Sequence, residues 1–69
     1  MLIELTRIDG SKININPFQI EMVEKKNNTV IRMMNEVMYI VLEDPYEIEN
    51  KIKEKIRNII SSSIGGKNG

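Results

Sequence analysis

Chemistry has few side chains to draw on here, since the 69 residues include no Cys and no His. That removes the commonest general base, the commonest metal ligand and the thiolate nucleophile together. Carboxylates, Lys, Tyr and Ser remain. Glu21 and Glu24 lie three apart on a stretch that reads as strand. Their side chains are expected on opposite faces, where they cannot act as a pair. Glu43 and Asp44 stand where a helix begins, and capping accounts for acidic residues there. Ser61-Ser62-Ser63 has no base near it in sequence, so an activated nucleophile is not expected. Glu4 and Asp9 flank a turn, and a hard cation wants more converging oxygens than these supply. Asp9 fits turn chemistry instead. Gly65-Gly66 precedes no helix and Gly10 is isolated, so neither phosphate-binding loop pattern occurs. The expectation is no catalytic residue, no metal, no cofactor and no enzyme.

Binding is the class left. Ten basic residues balance ten acidic ones, whereas nucleic-acid binding usually draws on a basic surplus. Lys25-Lys26 reads as a solvated loop, and the Lys/Arg set near the C-terminus as a solvated helix face. Phe18, Tyr39 and Tyr46 are too dispersed to suggest a base-stacking platform. The opening Met-Leu-Ile-Glu-Leu-Thr-Arg places charges among its apolar residues almost at once. It reads as neither signal peptide nor membrane span, and the expected location is cytoplasmic.

The elements that would position a binding surface begin with a hairpin. Residues 2–8 and 12–16 alternate as half-buried strands do, around Asp9-Gly10. A three-residue loop, Ile8-Asp9-Gly10, with Gly10 left-handed in a bulge, pairs Arg7 with Ser11 and Leu5 with Ile13. Ile3, Leu5, Ile13 and Ile15 then share one face, while Glu4, Thr6, Lys12 and Asn14 share the other. A two-residue turn would mix these sets, which burial of one face penalises. Asn16-Pro17 ends the second strand. Phe18 and Gln19 lead into a short third strand, Ile20 to Glu24.

Thr29 to Met34 and Val37 to Leu42 are the strongest strand signals, with Asn35-Glu36 read as a two-residue turn. That register pairs Arg32 with Tyr39 and Met33 with Met38. It sets Ile31, Met33, Met38, Ile40 and Leu42 on one face, and Val30, Met34, Val37 and Val41 around Arg32 and Tyr39 on the other. Both faces are largely apolar, unlike an antiparallel sheet with one wet side. Two readings fit: a strongly curled sheet part-covered on both sides by the helix and the first hairpin, or a subunit interface, for which the surface Val30, Arg32, Met34, Val37, Tyr39 and Val41 is the candidate interaction site.

Asp44-Pro45-Tyr46-Glu47 carries a helix N-cap, Pro at the first position and a capping box. Ile48, Ile52, Ile56 and Ile59 form one stripe at helical spacing, with Ile60 on its flank. Glu47–Lys51 and Glu49–Lys53 are expected i,i+4 pairs. The stripe is expected to pack on the sheet. A membrane-surface role is disfavoured because the helix's polar face is charge-balanced, and no direct membrane insertion is expected. The helix should end near Ser61, giving a domain over residues 1–60 and a Ser/Gly-rich flexible tail over 61–69.

A chain of this length buries only roughly 60% of its unfolded surface, and without Cys neither disulfides nor thiolate zinc sites can add stability. Self-association is the remaining route to more burial. The expected fold class is α+β, a small antiparallel sheet of about five strands followed by one amphipathic helix.

Leu5-Thr6-Arg7-Ile8-Asp9-Gly10, then Ile15-Asn16-Pro17, then Ile20-Glu21-Met22-Val23-Glu24, resembles the FlbD/SwrD family of small bacterial flagellar proteins. Thr29-Val30-Ile31, Asn35, Tyr39 and Val41 continue the likeness in order. The resemblance implies a non-enzymatic accessory of swarming motility, associated with motor torque or stator function. It brings no catalytic residue. Its matching positions read as fold determinants: Gly10 for the bulge, Asn16 and Pro17 for the corner, Asn35 for the turn. Where the family leads one to expect Asn-Gly, this chain has Asn35-Glu36. Expected partners are a second copy and a flagellar motor or stator protein, with a peripheral place at the motor. Leu-Thr-Arg on a first strand, five strands and a terminal helix are also similar to the carbon-storage-regulator RNA-binding dimers. Neutral charge, the acidic helix start and Asn-Pro after the second strand stand against that alternative, and a generic oligomerising module is the third.

Overall fold

The computed structural model describes residues 1–65, with side chains through Ser61. Strands β1 (Ile3–Thr6) and β2 (Lys12–Ile15) pair antiparallel in the register Leu5 with Ile13 and Ile3 with Ile15. The loop between them is Ile8-Asp9-Gly10, as the burial pattern requires. The Arg7 N–H donates to the Ser11 carbonyl at 2.8 Å, and Gly10 has φ +92°. Asp9 Oδ1 accepts from the Ser11 N–H and hydroxyl, which hold its carboxyl below the ordinary range. Ile3, Leu5, Ile13 and Ile15 are all buried.

The corner follows from two residues. Asn16 Oδ1 accepts the Phe18 N–H at 3.0 Å, and Pro17 opens a 3-10 turn over Pro17–Gln19. β3 (Ile20–Lys25), β4 (Thr29–Met33) and β5 (Met38–Val41) then form an antiparallel sheet in that order. The two sheets are joined through β1 and β5. Arg7 bridges Val41, the Ile8 N–H donates to the Ile40 carbonyl and the Leu42 N–H to that of Thr6.

The second hairpin departs from the sequence expectation by one residue. Val30 pairs with Ile40, Ile31 with Tyr39 and Arg32 with Met38. The loop is three residues long, Met34-Asn35-Glu36, and repeats the first hairpin's geometry. The Met33 N–H donates to the Val37 carbonyl (2.8 Å), the Glu36 N–H to that of Met33 (2.9 Å), and the Val37 N–H to Asn35 Oδ1 (3.1 Å). Glu36 occupies Gly10's position, with φ +71°. A two-residue type I′ turn asks for two left-handed residues, and type II′ for one at the first position, which here would be Asn35. This loop asks for one, and it sends Val41 into the core.

An L residue in the left-handed region costs about 1–2 kcal/mol, while a new glycine adds about 0.5–1 kcal/mol of unfolded-chain entropy. Glu36→Gly should therefore raise the urea-unfolding free energy by roughly 0.5–1 kcal/mol. A variant less stable than the parent would show that Glu36 contributes something beyond the turn.

The core is Ile3, Leu5, Ile13, Ile15, Ile31, Met33, Val41 and Ile48, with Ile20, Val23, Tyr39 and Ile52 packed against it. Helix α1 (Pro45–Gly65) starts at the expected capping box. Asp44 Oδ1 accepts the Glu47 N–H at 2.9 Å, and Glu47 Oε1 accepts the Asp44 N–H at 3.5 Å. Glu47 is thereby turned away from Lys51; among the described residues the helix's ion pairs are Glu49–Lys53 and Glu54–Arg57. The helix also runs past Ser61, so the serines expected in a tail continue it to Gly65. The remainder of that tail, residues 66–69, lies outside the described residues.

The isoleucine stripe is only half used. Ile48 is buried and Ile52 half-buried, but Ile56, Ile59 and Ile60 are 39%, 52% and 51% exposed. At 1.5 Å per residue α1 is about 31 Å long, and its C-terminal half leaves the sheet. The molecule is accordingly elongated, 46 × 23 × 19 Å.

Candidate interaction surface

The shifted register sorts the second sheet's side chains. Thr29, Ile31, Met33, Tyr39 and Val41 face the core, and Val30, Arg32, Met38 and Ile40 face outward. From β3, Met22 and Glu24 lie opposite Arg32 and Val30 and join the outward set. Six residues formed the sequence-level candidate, and the structure divides them. Val30 and Arg32 are on the outer face, and Met34 and Val37 are exposed at the hairpin tip. Val41 is only 3% exposed, and Tyr39 is half-buried against the core with the Arg7 guanidinium 5.9 Å from its ring centroid. Val41 is not available to a partner. Met38 and Ile40 take the places of Tyr39 and Val41.

The resulting surface is an apolar strip along β5 with a charged rim. Met38 and Ile40 are exposed; Ile8, hydrogen-bonded to Ile40 through the backbone, and Leu42 extend the strip. Four such half-exposed side chains uncover roughly 250–400 Å² of apolar area, a patch size at which monomers often carry function. The rim comes from a β-bulge. The β3–β4 register shifts between Ile20 and Met22, leaving Glu21 as the extra residue. Its carboxylate lies 2.7 Å from Arg32 Nε, off the N–H axis, so the pair is a charge contact. The bulge also overturns the expected opposition of Glu21 and Glu24. Glu21 reaches Arg32 and Glu24 pairs with Val30, so both carboxylates belong to the outer face.

The sequence position of Glu43 suggests capping, and the structure gives it another task. Its carboxylate accepts the Thr6 N–H at 2.9 and 3.1 Å and the Thr6 hydroxyl at 3.0 Å. Lys12 Nζ donates to the same hydroxyl at 2.7 Å. An antiparallel pair would have Thr6 donate to Leu42 in return for the Leu42 N–H it receives. Here the Glu43 carboxylate supplies that acceptor. Burial pushes the carboxyl pKa up, but the Thr6 donors outweigh it and hold the group below its usual range. No local signal marks this residue, because its partner lies 37 positions away.

Gln19, Asn16 and Asn35 rim a shallow cleft of about 240 Å³ between the hairpins, floored by Met33 and Tyr39. The Asn16 and Asn35 carbonyls are already engaged in their own turns. Among the described residues no group of three or more His, Cys, Asp or Glu could hold a metal ion.

A family model described as flagellar and swarming motility proteins, FlbD, matches residues 2–60. The chain belongs to the FlbD family. Comparison with curated proteins finds no match, and comparison with solved structures finds none. The FlbD match spans both hairpins and most of α1, so the register, the bulge and the strip on β5 all fall inside it. None of the described FlbD helix is long and apolar enough to cross a membrane.

Proposed function

We propose that this FlbD-family chain is a non-enzymatic motility accessory that works by binding protein through the outer face of β3–β4–β5. Its role is to support the torque or the stator of the flagellar motor, at the cytoplasmic side. The same face serves docking onto a second copy or onto a motor protein. The observation that carries this reading is the exposed strip Ile8, Met38, Ile40 and Leu42, four apolar side chains side by side on one face of the second sheet. Apolar residues at the centre and the Glu21–Arg32 pair at the rim match the anatomy of a protein interface.

Ile40→Asp tests it. Ile40 is 42% exposed and outside the core, so the substitution should cost about 1–2 kcal/mol from lost strand propensity and partial burial and leave the fold intact. It should reduce swarming and motor torque toward the level of a gene deletion, and should lower the solution mass of any self-associated form. A folded Ile40→Asp protein that supports motility as well as the parent would rule this surface out.

A further inference from the structure

We infer that the C-terminal half of α1 is an anionic-membrane contact, lying along the lipid surface with its isoleucine stripe down. The inference stands on the helix alone and goes beyond the proposed protein-binding role.

Charge along α1 is balanced in total but divided in space. Its start carries Asp44, Glu47 and Glu49, over the part whose stripe is covered by the sheet. The stretch after Ile52, from Lys53 to Ile60, has three basic residues and one acid, with Lys51 just ahead of it. It is also the stretch whose stripe is uncovered: Ile56, Ile59 and Ile60 are exposed there. The basic residues frame the stripe on both sides. Lys53 and Arg57 line a surface groove with Ile56 and Ile60. Lys51 and Lys55 line another, opposite, with exposed Leu2 beside them; Glu4 and Glu54 also line it, so the basic edge is stronger on the Lys53 and Arg57 side. Long Lys and Arg stems can keep their charged ends at headgroup level while the apolar stripe sits in the acyl boundary.

Two features of the same stretch select the occupant. A second copy brought against it would set Lys53, Lys55 and Arg57 of each chain facing the like charges of the other, a repulsive arrangement. The three half-exposed isoleucines offer roughly 200 Å² on one projecting helix, whereas the strip on β5 is continuous with a three-stranded outer face that can widen a protein contact toward the usual ~800 Å² per side. An anionic bilayer needs no such closed area, because modest apolar burial and several basic residues act together. The Glu49–Lys53 and Glu54–Arg57 pairs are both well exposed, so they present little obstacle to headgroup contact.

The test is flotation of the full chain with vesicles of phosphatidylglycerol and phosphatidylcholine, against phosphatidylcholine alone. Binding is expected on the anionic vesicles, weakening as salt rises, and absent on the neutral ones. Each basic residue near an anionic surface is worth about fivefold, so Lys53→Gln with Arg57→Gln should weaken partitioning by about 25-fold. Ile59→Ser with Ile60→Ser should weaken it at least tenfold with the helix retained by circular dichroism, since neither side chain is in the core. No flotation at low salt would overturn the inference. So would flotation indifferent to the isoleucine pair, or a dimer in solution that the isoleucine pair dissociates. The last result would assign the stripe to a second copy.

Discussion

Ile48→Ala should cost about 3 kcal/mol of folding free energy, while Ile59→Ala, three stripe positions further along the same helix, should cost less than about 0.5 kcal/mol. The two residues are chemically identical and lie on the same helical face. Ile48 is 2% exposed within the core and Ile59 is 52% exposed beyond it. Truncating Ile48 removes transfer free energy and leaves a cavity that the short strands around it cannot readily close. For a chain of this length total stability is about 3–10 kcal/mol, so the Ile48 variant should lose a third or more of it. In a thermal melt the loss corresponds to a fall of about 12–24 °C. Urea unfolding of both variants reads the difference. Equal costs would mean that the helix stays on the sheet to its end, and the membrane inference would lose its apolar stripe.

This contrast also marks how far the sequence carries. The first hairpin was fully legible, since Ile3, Leu5, Ile13 and Ile15 can share a face in only one register and Gly10 fits the loop that register needs. The helix start was equally plain from Asp44, Pro45 and Glu47. The second hairpin resisted the same reasoning because both its faces are apolar. With Met38, Tyr39, Ile40, Val41 and Leu42 in sequence, a slip of one residue exchanges one hydrophobic set for another and burial gives no penalty to detect it. Its loop then had to decide the register. Glu36 concealed the answer, being a residue that rarely takes the left-handed conformation it holds here.

The candidate surface inherited that slip, which is why Tyr39 and Val41 moved inward and Met38 and Ile40 outward. What survives is the reasoning that a second hairpin apolar on both faces has a side to spare. The helix shows a related limit. Periodicity locates a stripe but says nothing of where the covering sheet stops, and composition averages away a charge division that only position reveals. The overhang after Ile52 is set by where the sheet ends, which no local residue pattern encodes.

Removing the Glu43 carboxylate should be the other large effect, and it should carry a pH signature. Glu43→Ala deprives the half-buried Thr6 N–H and hydroxyl of a charged acceptor at the seam between the two sheets. Hydrogen bonds to a charged group are each worth about 1.5–3 kcal/mol, and the half-exposed setting argues for the lower end, so a loss of about 2 kcal/mol is expected. Because the folded-state pKa lies below the unfolded one, Glu43 binds its proton more weakly when folded. Its contribution is therefore full above the unfolded carboxyl pKa of about 4.3 and disappears as pH falls through the lower folded value. The stability of the parent should decline on acidification from about pH 5 downward. Glu43→Gln keeps an acceptor for the Thr6 N–H but removes the titrating group, so it should start less stable at neutral pH and show a shallower acid decline. Asp9, also held below its usual range by Ser11, titrates in the same direction and accounts for part of the slope that remains. Thermal melts of parent and variant from pH 3 to 7 compare the two slopes directly. Parallel pH profiles would show that the Thr6–Glu43 contact does not hold the hairpins together in solution.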